Sequence, residues 1–430
     1  MQKRRFRIRA VPLAVATLSV TWVGTSCDRG EVGARPADVA VDTAGDTITV
    51  SNGEAGQWPG AYGLVPTVSI GLVDGAPEYV LGRIGSVATD RAGNVHLLDT
   101  QAATVRVFEP DGSHVRSFGR RGEGPGELAS PSAIAVLSDG RVLVRDPGNG
   151  RVQVFDSTGQ AQDEWPILHP GYATFEPLWV DARDRSFVVT VLQSSDIMAA
   201  DRIVIVVGGD GTPLDTMPSP TVDFDPPILE AEFQSGREHR RASAALPFGA
   251  RATWAVHPDG SIVRGFSTRY RIEVISSDGQ VLRIEKDYDP VPVGSVERDF
   301  SEARVIEAMR GTDPNWEWVG PPIPSEKPPF KEIFVGRDGR IWVSLSNPGI
   351  EVENPYYEPD DEDSPPSFWA EAVSFDVFSP DGTYLGRADA PQNFLLGPAP
   401  VFDAEGAWAV TYDDLGVQRV VRFALQPQGR

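Results

Sequence analysis

Two stretches of this chain align residue for residue without a gap. Residues 86–112 read SVATDRAGNVHLLDTQAATVRVFEPDG, and residues 133–159 read AIAVLSDGRVLVRDPGNGRVQVFDSTG. Asp99 falls on Asp146, Arg106 on Gln153, Phe108 on Phe155 and Gly112 on Gly159. A repeat of this kind constrains the fold strongly, because one unit cannot bury its apolar face alone and must stack on its neighbours. Each copy reads strand, tight turn, strand, loop, strand and second turn, with β-branched and aromatic residues in the strands and Asp-Gly at most turns.

Weaker copies follow. LWVDARDRSFVVTVL (178–192) goes with DRIVIVVGGDG (201–211), and TWAVHPDGSIVRGFS (253–267) with RYRIEVISSDG (269–279). IFVGRDGRIWVSLS (333–346) goes with SFDVFSPDG (374–382), and PVFDAEGAWAVTYD (400–413) with QRVVRFAL (418–425). A fourth strand follows in most units, as in SHVRSFG (113–119) and TYLGRADA (383–390). These six units resemble the NHL-type six-bladed β-propeller, most clearly through GNVHLLD, RVQVFD and the linker GRRGEGPGEL. The resemblance implies an all-β ring of four-stranded antiparallel blades over residues 45–427. Such a ring lets one domain reach this size. The 43 glycines, 37 prolines and 40% hydrophobic content suit many short strands with a substantial core. The sixth unit ends without a fourth strand, so DTITVSN (46–52) is expected to complete its sheet against 418–425 and remove the seam.

Alternation of strands fixes two faces. The 1–2 and 3–4 turns lie on one, and all are tight. The 2–3 loops and blade crossings lie on the other, with every long insertion: about 212–250, 286–330 and 346–373. Insertions gathered on one face point to recognition there. Candidate ligand-binding residues are Arg237, His239 and Arg240 in a locally basic segment expected as a solvated helical turn, then Trp316 and Trp318 on a Pro-rich loop. Tyr356 and Tyr357 in the acidic run EVENPYYEPDDED complete the set, which is expected to meet around the channel mouth. Residues 294–310 read as an amphipathic helix capped by Ser295, with Val296, Phe300, Val305, Ile306 and Met309 as its apolar stripe.

Arg120 and Arg121 in GRRGEGPGEL raise the question of an anion cradle. No strand–loop–helix follows, so a blade crossing is the plainer reading, with these arginines pairing with Glu123, Glu127 or a neighbouring blade.

The first 26 residues read as a signal peptide: a basic start, an apolar run from Ala10 to Val23, then small residues. Gly24-Thr25-Ser26-Cys27 resembles a bacterial lipobox, departing at Gly24 where Leu is usual. The resemblance implies lipidation at Cys27, residues 27–44 as a flexible tether, and an exported chain that meets the membrane by its lipid alone; an ordinary secretory signal is the alternative. The net charge is −22, and removal of the five basic residues before Cys27 leaves −27. That charge repels nucleic acid. Only four lysines occur (Lys3, Lys286, Lys327 and Lys331), which reads as composition rather than mechanism.

Some six-bladed propellers are enzymes, so catalytic groups matter. Of the five histidines, His114 and His257 fall in plain-face turns and His96 on a second strand, leaving only His169 and His239 on the insertion face. That disfavours a three-histidine zinc site. There is no GxSxG elbow, and the lone cysteine is in the signal. Asp90 and Asp181 are channel candidates that read more simply as turn residues. No cofactor, metal or catalytic group is therefore assigned. The expectation is a module binding a protein or small molecule on the insertion face, with a lactonase-like divalent-metal hydrolase or lyase as the alternative.

Overall fold

A computed structural model describes residues 39–168, 176–191, 201–235, 238–354, 366–413 and 416–429. Among the described residues, three four-stranded antiparallel sheets, and three further four-strand antiparallel runs within a six-stranded and an eight-stranded sheet, form the blades, each beginning with the strand that faces the central channel. Blade one runs from Ile84–Thr89 to His114–Phe118, and blade two from Ala133–Val136 to Ala161–Trp165. Blade three runs from Trp179–Val180 to Pro213–Pro218, and blade four from Ala252–Val256 to Val281–Lys286. Blade five runs from Phe330–Val335 to Tyr384–Asp389. Blade six holds Val401–Asp403, Gly406–Tyr412 and Gln418–Pro427, with a fourth strand from the N-terminal side. The Asp-Gly turns form as the sequence suggests: Gly112 and Gly159 both sit at φ +90, which only glycine adopts freely.

The ring does close with an N-terminal strand, but with a different one. Tyr62–Ile70 pairs antiparallel with Gln418–Pro427. Its Pro66 disguises it in the sequence, since proline removes a ladder donor. In the fold the register shifts between Pro66 and Val68, and the bulge absorbs the missing bond. Thr47–Asn52, expected in blade six, pairs parallel with Val281–Lys286 on the outer edge of blade four. Residues 39–44, expected within the tether, form a strand Val39–Ala44 on Thr47–Asn52. Its alternating Val39, Val41 and Thr43 suit that role.

Apolar layers between blades make the core. Leu98, Val105, Val107, Leu128, Ile134 and Phe155 fill the joint of blades one and two. Between blades five and six, Trp342 and Phe402 stack at 4.3 Å beside Phe375 and Phe423.

The first insertion begins after Pro218 and is a hairpin, Ile228–Ser235 on Glu238–Ala245, where a helical turn is expected. The alternation of Ala242, Ala244 and Leu229, Ala231 explains it: these point into a small satellite core with Leu246, Met309, Trp316 and Ile323. The helix spans Ser295–Arg310, but its N-cap is Gly294, with no side-chain capping bond. Its inward face is Met309 with Val305 and Ile306, while Val296 is 64% exposed. The third insertion carries a hairpin, Gly349–Glu353 on Ser367–Glu371.

Candidate functional site

The six first strands enclose a channel of about 1630 Å³. Its wall is largely apolar, with Ile84, Ala133, Leu178, Trp179, Trp254 and Ile333 among the lining residues. Trp179 and Trp254 lie 4.2 Å apart.

The two mouths differ. On the plain face the turns are tied to one another. Ser138 N donates to Asp184 Oδ1 at 2.7 Å, Ala182 N to Pro258 O at 2.7 Å, and Arg337 N to Phe402 O at 3.0 Å. Arg337 also crosses from blade five to blade one, where Nη1 donates to Thr89 Oγ1 at 2.9 Å and Asp90 O at 2.5 Å. Arg337 therefore spans and narrows that mouth. The insertion-face mouth is rimmed by the residues that precede or open the first strands: Arg83, Ser132, Glu176, Ala252, Glu332 and Pro400. Glu176 pairs with Arg202. Glu332 accepts from Thr253 Oγ1 at 3.3 Å, and burial pushes its carboxyl up against the pull of that bond and of Arg251 and Lys331.

Asp90 and Asp181 are held in their own turns. Asp90 Oδ1 accepts from Ala92 N and Asn94 N, and His96 Nε2 lies 3.5 Å from Oδ2. Burial would raise this carboxyl, but His96 and Asn94 hold it at about 2. Asp181 Oδ1 accepts from Arg183 N and Arg185 N, and Oδ2 from Arg185 Nε at 2.6 Å. Among the described residues no three His, Cys, Asp or Glu gather in a metal-holding group.

The described insertion residues, His239, Arg240, Trp316 and Trp318, lie away from the channel lining. His239 meets Glu232 at 2.6 Å, and Arg240 lies over the Phe233 ring at 4.7 Å and donates to Gly311 O. Trp316, expected on an exposed loop, is 6% exposed in the satellite core, and its Nε1 donates to Glu230 O at 2.8 Å. Trp318 packs beside it, half-buried, with Nε1 on Pro321 O. None of these four lines the channel. Their sequence environment is Pro-rich and polar, which hides that a hairpin some eighty residues earlier folds over them. Cys27, His169, Arg237, Tyr356 and Tyr357 lie outside the described residues.

The GRRGEGPGEL loop resolves into two unlike arginines. Arg120 pairs with Glu127 at 2.8 Å, and Glu127 Oε2 also accepts from Gly124 N at 3.0 Å. A Cβ on Gly122 would collide with this carboxylate. The loop thus wraps an anion of its own where a phosphate would sit. Arg121 turns the other way, into a cavity of about 650 Å³ between blades one and two that also holds Arg83. Arg83 went unnoticed in the sequence, although topology places any residue just before a first strand on this rim.

A further network was missed. Lys327, 3% exposed, donates to Glu297 Oε1 at 2.5 Å, Glu371 Oε1 at 2.9 Å and Asn347 O at 3.0 Å. Lys331 meets Glu371 Oε2 at 3.0 Å. Burial would raise Glu371, but Lys331, the Asn347 N–H and Lys327 keep it below the ordinary range. This locks the helix and the third insertion to blade five.

Residues 128–155 match the NHL repeat. A curated relative, protein lin-41 of Caenorhabditis elegans, is 49% identical over 45 residues, 10% of this chain and 4% of that protein, so the chain spans only a small part of it. Among solved structures, a DUF4221 family member from Bacteroides vulgatus superposes with a TM-score of 0.45 at 9% identity, covering 85% of this chain and 99% of that one. A gluconolactonase from Xanthomonas campestris gives 0.38 at 15% identity, covering 84% and 87%. A calcium-binding regucalcin from Agrobacterium tumefaciens gives 0.37 at 10% identity, covering 86% and 98%.

Proposed function

We propose that this chain is an exported propeller, held to a membrane by a lipid on Cys27, that binds a ligand entering the channel from the insertion face. The observation that supports this reading is the asymmetry of the two mouths. Arg337 and three bonds between neighbouring blades narrow the plain mouth, while the opposite rim carries charged and hydroxyl side chains around an apolar well. Concave, mostly apolar sites with a few placed polar groups are the usual form of small-molecule sites. The satellite core beside the rim, built from Leu229, Met309 and Trp316, supports the face as a rigid wall rather than by offering its tryptophans.

A small-molecule library screened by thermal shift, with hits mapped by hydrogen exchange, tests the reading. Protection is expected at residues 83–85, 131–133 and 396–400. A library without a hit, or protection confined to 110–113, 138–141 and 258–261, would overturn it. Intact mass of the membrane-bound chain, beginning at an acylated Cys27, checks the anchor; a soluble product with an unmodified cysteine would remove the anchor but leave export.

A further inference from the structure

Two arginines on the insertion face reach neighbouring residues from different blade joints. Arg83 Nε donates to Thr100 Oγ1 at 3.4 Å, and Arg121 Nη2 donates to Gln101 O at 2.8 Å. Both line the cavity between blades one and two, whose other walls are Ala129–Ser132 and Pro147–Gly148. The cavity shares Arg83, Thr100, Pro131 and Ser132 with the channel, so the two spaces are continuous.

Among the described residues neither arginine has a carboxylate partner. The acceptor of Arg83 is a hydroxyl, and those of Arg121 are the carbonyls of Gln101 and Ala129. A hydroxyl or carbonyl supplies a dipole but no countercharge. Among the described residues lining the cavity there is no Asp or Glu. Two exposed guanidiniums without a carboxylate partner among the described residues thus line one cavity in a chain of net charge −22. The adjacent Arg120, neutralised by Glu127, shows that this loop can supply a countercharge where one is wanted. Ser132 also lines both cavities, and its Oγ, closed to solvent, has no hydrogen-bond partner. A hydroxyl closed to solvent and without a partner is unfavourable until something supplies one.

We propose that this cavity binds a small organic carboxylate. Arg83 and Arg121 take the carboxylate, and the apolar body of the ligand lies in the channel mouth against Ile84, Ala133 and Leu178. This rests on the reading that ligands enter from the insertion face. A carboxylate suits the site better than a phosphate monoester for two reasons. Both Nη atoms of Arg121 are already engaged, which leaves Arg83 as the one open fork and matches a single planar head. A dianion would also meet more repulsion from the acidic surface.

The test is calorimetric titration of the full chain with 4-phenylbutyrate and with its neutral amide, 4-phenylbutyramide. The acid is expected to bind roughly tenfold or more tightly than the amide, a preference that falls with added salt. Arg83→Ala should weaken the acid about tenfold and leave the amide unchanged. Arg121→Lys keeps a donor for the carbonyls and so protects the fold; it should weaken the acid about threefold, because a single ammonium cannot hold both carbonyls and also reach the carboxylate. Equal affinity for acid and amide overturns the site, as does no binding of the acid at about 10 mM. Full acid affinity in both variants also overturns it. If Arg83→Ala binds normally while exchange protection stays on the insertion face, only this site falls. Protection on the plain face removes the functional reading with it.

Discussion

Between blades one and two the joint is made by the repeat. Asp146 ends the second strand of blade two, fully buried, and accepts from Ala129 N at 3.0 Å, Ser130 N at 2.8 Å and Asn149 Nδ2 at 2.8 Å. Arg151 opens the third strand and donates to the carbonyls of Glu123, Gly124 and Glu127. Asp99 grips the crossing into blade one in the same manner, through Gly82 N, while Arg106, which aligns with Gln153 rather than with Arg151, donates to the carbonyls of Pro77, Glu78 and Val80. Between blades four and five the joint is made by side chains particular to these two blades, together with parts outside the repeat. Lys286 lies 3.4 Å from Asp376, which also accepts from Tyr270 and Tyr384, both at 2.8 Å. Burial and the Asp376 charge push both tyrosines up, so they remain neutral donors. Asn52, from the N-terminal hairpin, donates to Glu285 O and Gly382 O and accepts from Tyr384 N. Lys327 binds the helix and the third insertion beside them. Three of the four lysines in the chain therefore serve buried polar contacts at this side of the ring. At this joint a compact ammonium with several acceptors, Lys327, holds the insertions to the blade.

The largest effect should come from Lys327→Met. It leaves Glu297 and Glu371 buried with one cation fewer, a loss of about 3–5 kcal/mol in urea unfolding. Replacing Lys327 and Glu297 together by Met and Leu should recover much of that, because the isolated buried charge is the main penalty. A loss below about 1 kcal/mol for the single variant would show the network to be slack and erase the contrast between the joints.

Asp146→Ala should follow. Three donors lose their acceptor at once, and a loss of about 2–3 kcal/mol is expected. The change should also speed exchange in residues 120–130, since that crossing hangs from Asp146. If Asp146→Ala costs more than Lys327→Met, the ranking of the two joints is reversed.

The contrast also explains what could be read in advance. Asp99 and Asp146 align, so the repeat is legible as pattern, and the ring follows from the resemblance its six units carry. The closing strand did not, because Pro66 argues against a strand unless the bulge is known. Trp316 and Lys327 were opaque for one physical reason: both are buried by segments distant in sequence, the hairpin at 228–245 and Glu371, and local polarity says nothing about such partners. Arg121 was legible as a cation but not its neighbour Arg83, since the repeat alignment stops at residue 86, just short of the rim.

Acid should separate the two joints further, with the smallest effect at Asp90. Its folded value is about 2 against an ordinary 3.8, so the stability it contributes is present above 3.8 and is lost as pH falls through about 2. Glu371 is lowered from 4.5, so its contribution is present above 4.5 and starts to fade below that. Glu371→Gln should therefore destabilise at pH 7, with the difference from the parent chain starting to close below about pH 4.5. Asp90→Asn keeps the acceptor for Ala92 N and Asn94 N and should cost only about 0.5–1 kcal/mol at pH 7, a difference that persists to lower pH than that of Glu371→Gln. Urea unfolding of both variants across pH 7 to 3 reads the order. Closure at the same pH for both would mean that the repeat-built turn and the insertion lock titrate as one unit, and the two joints would then not be independent.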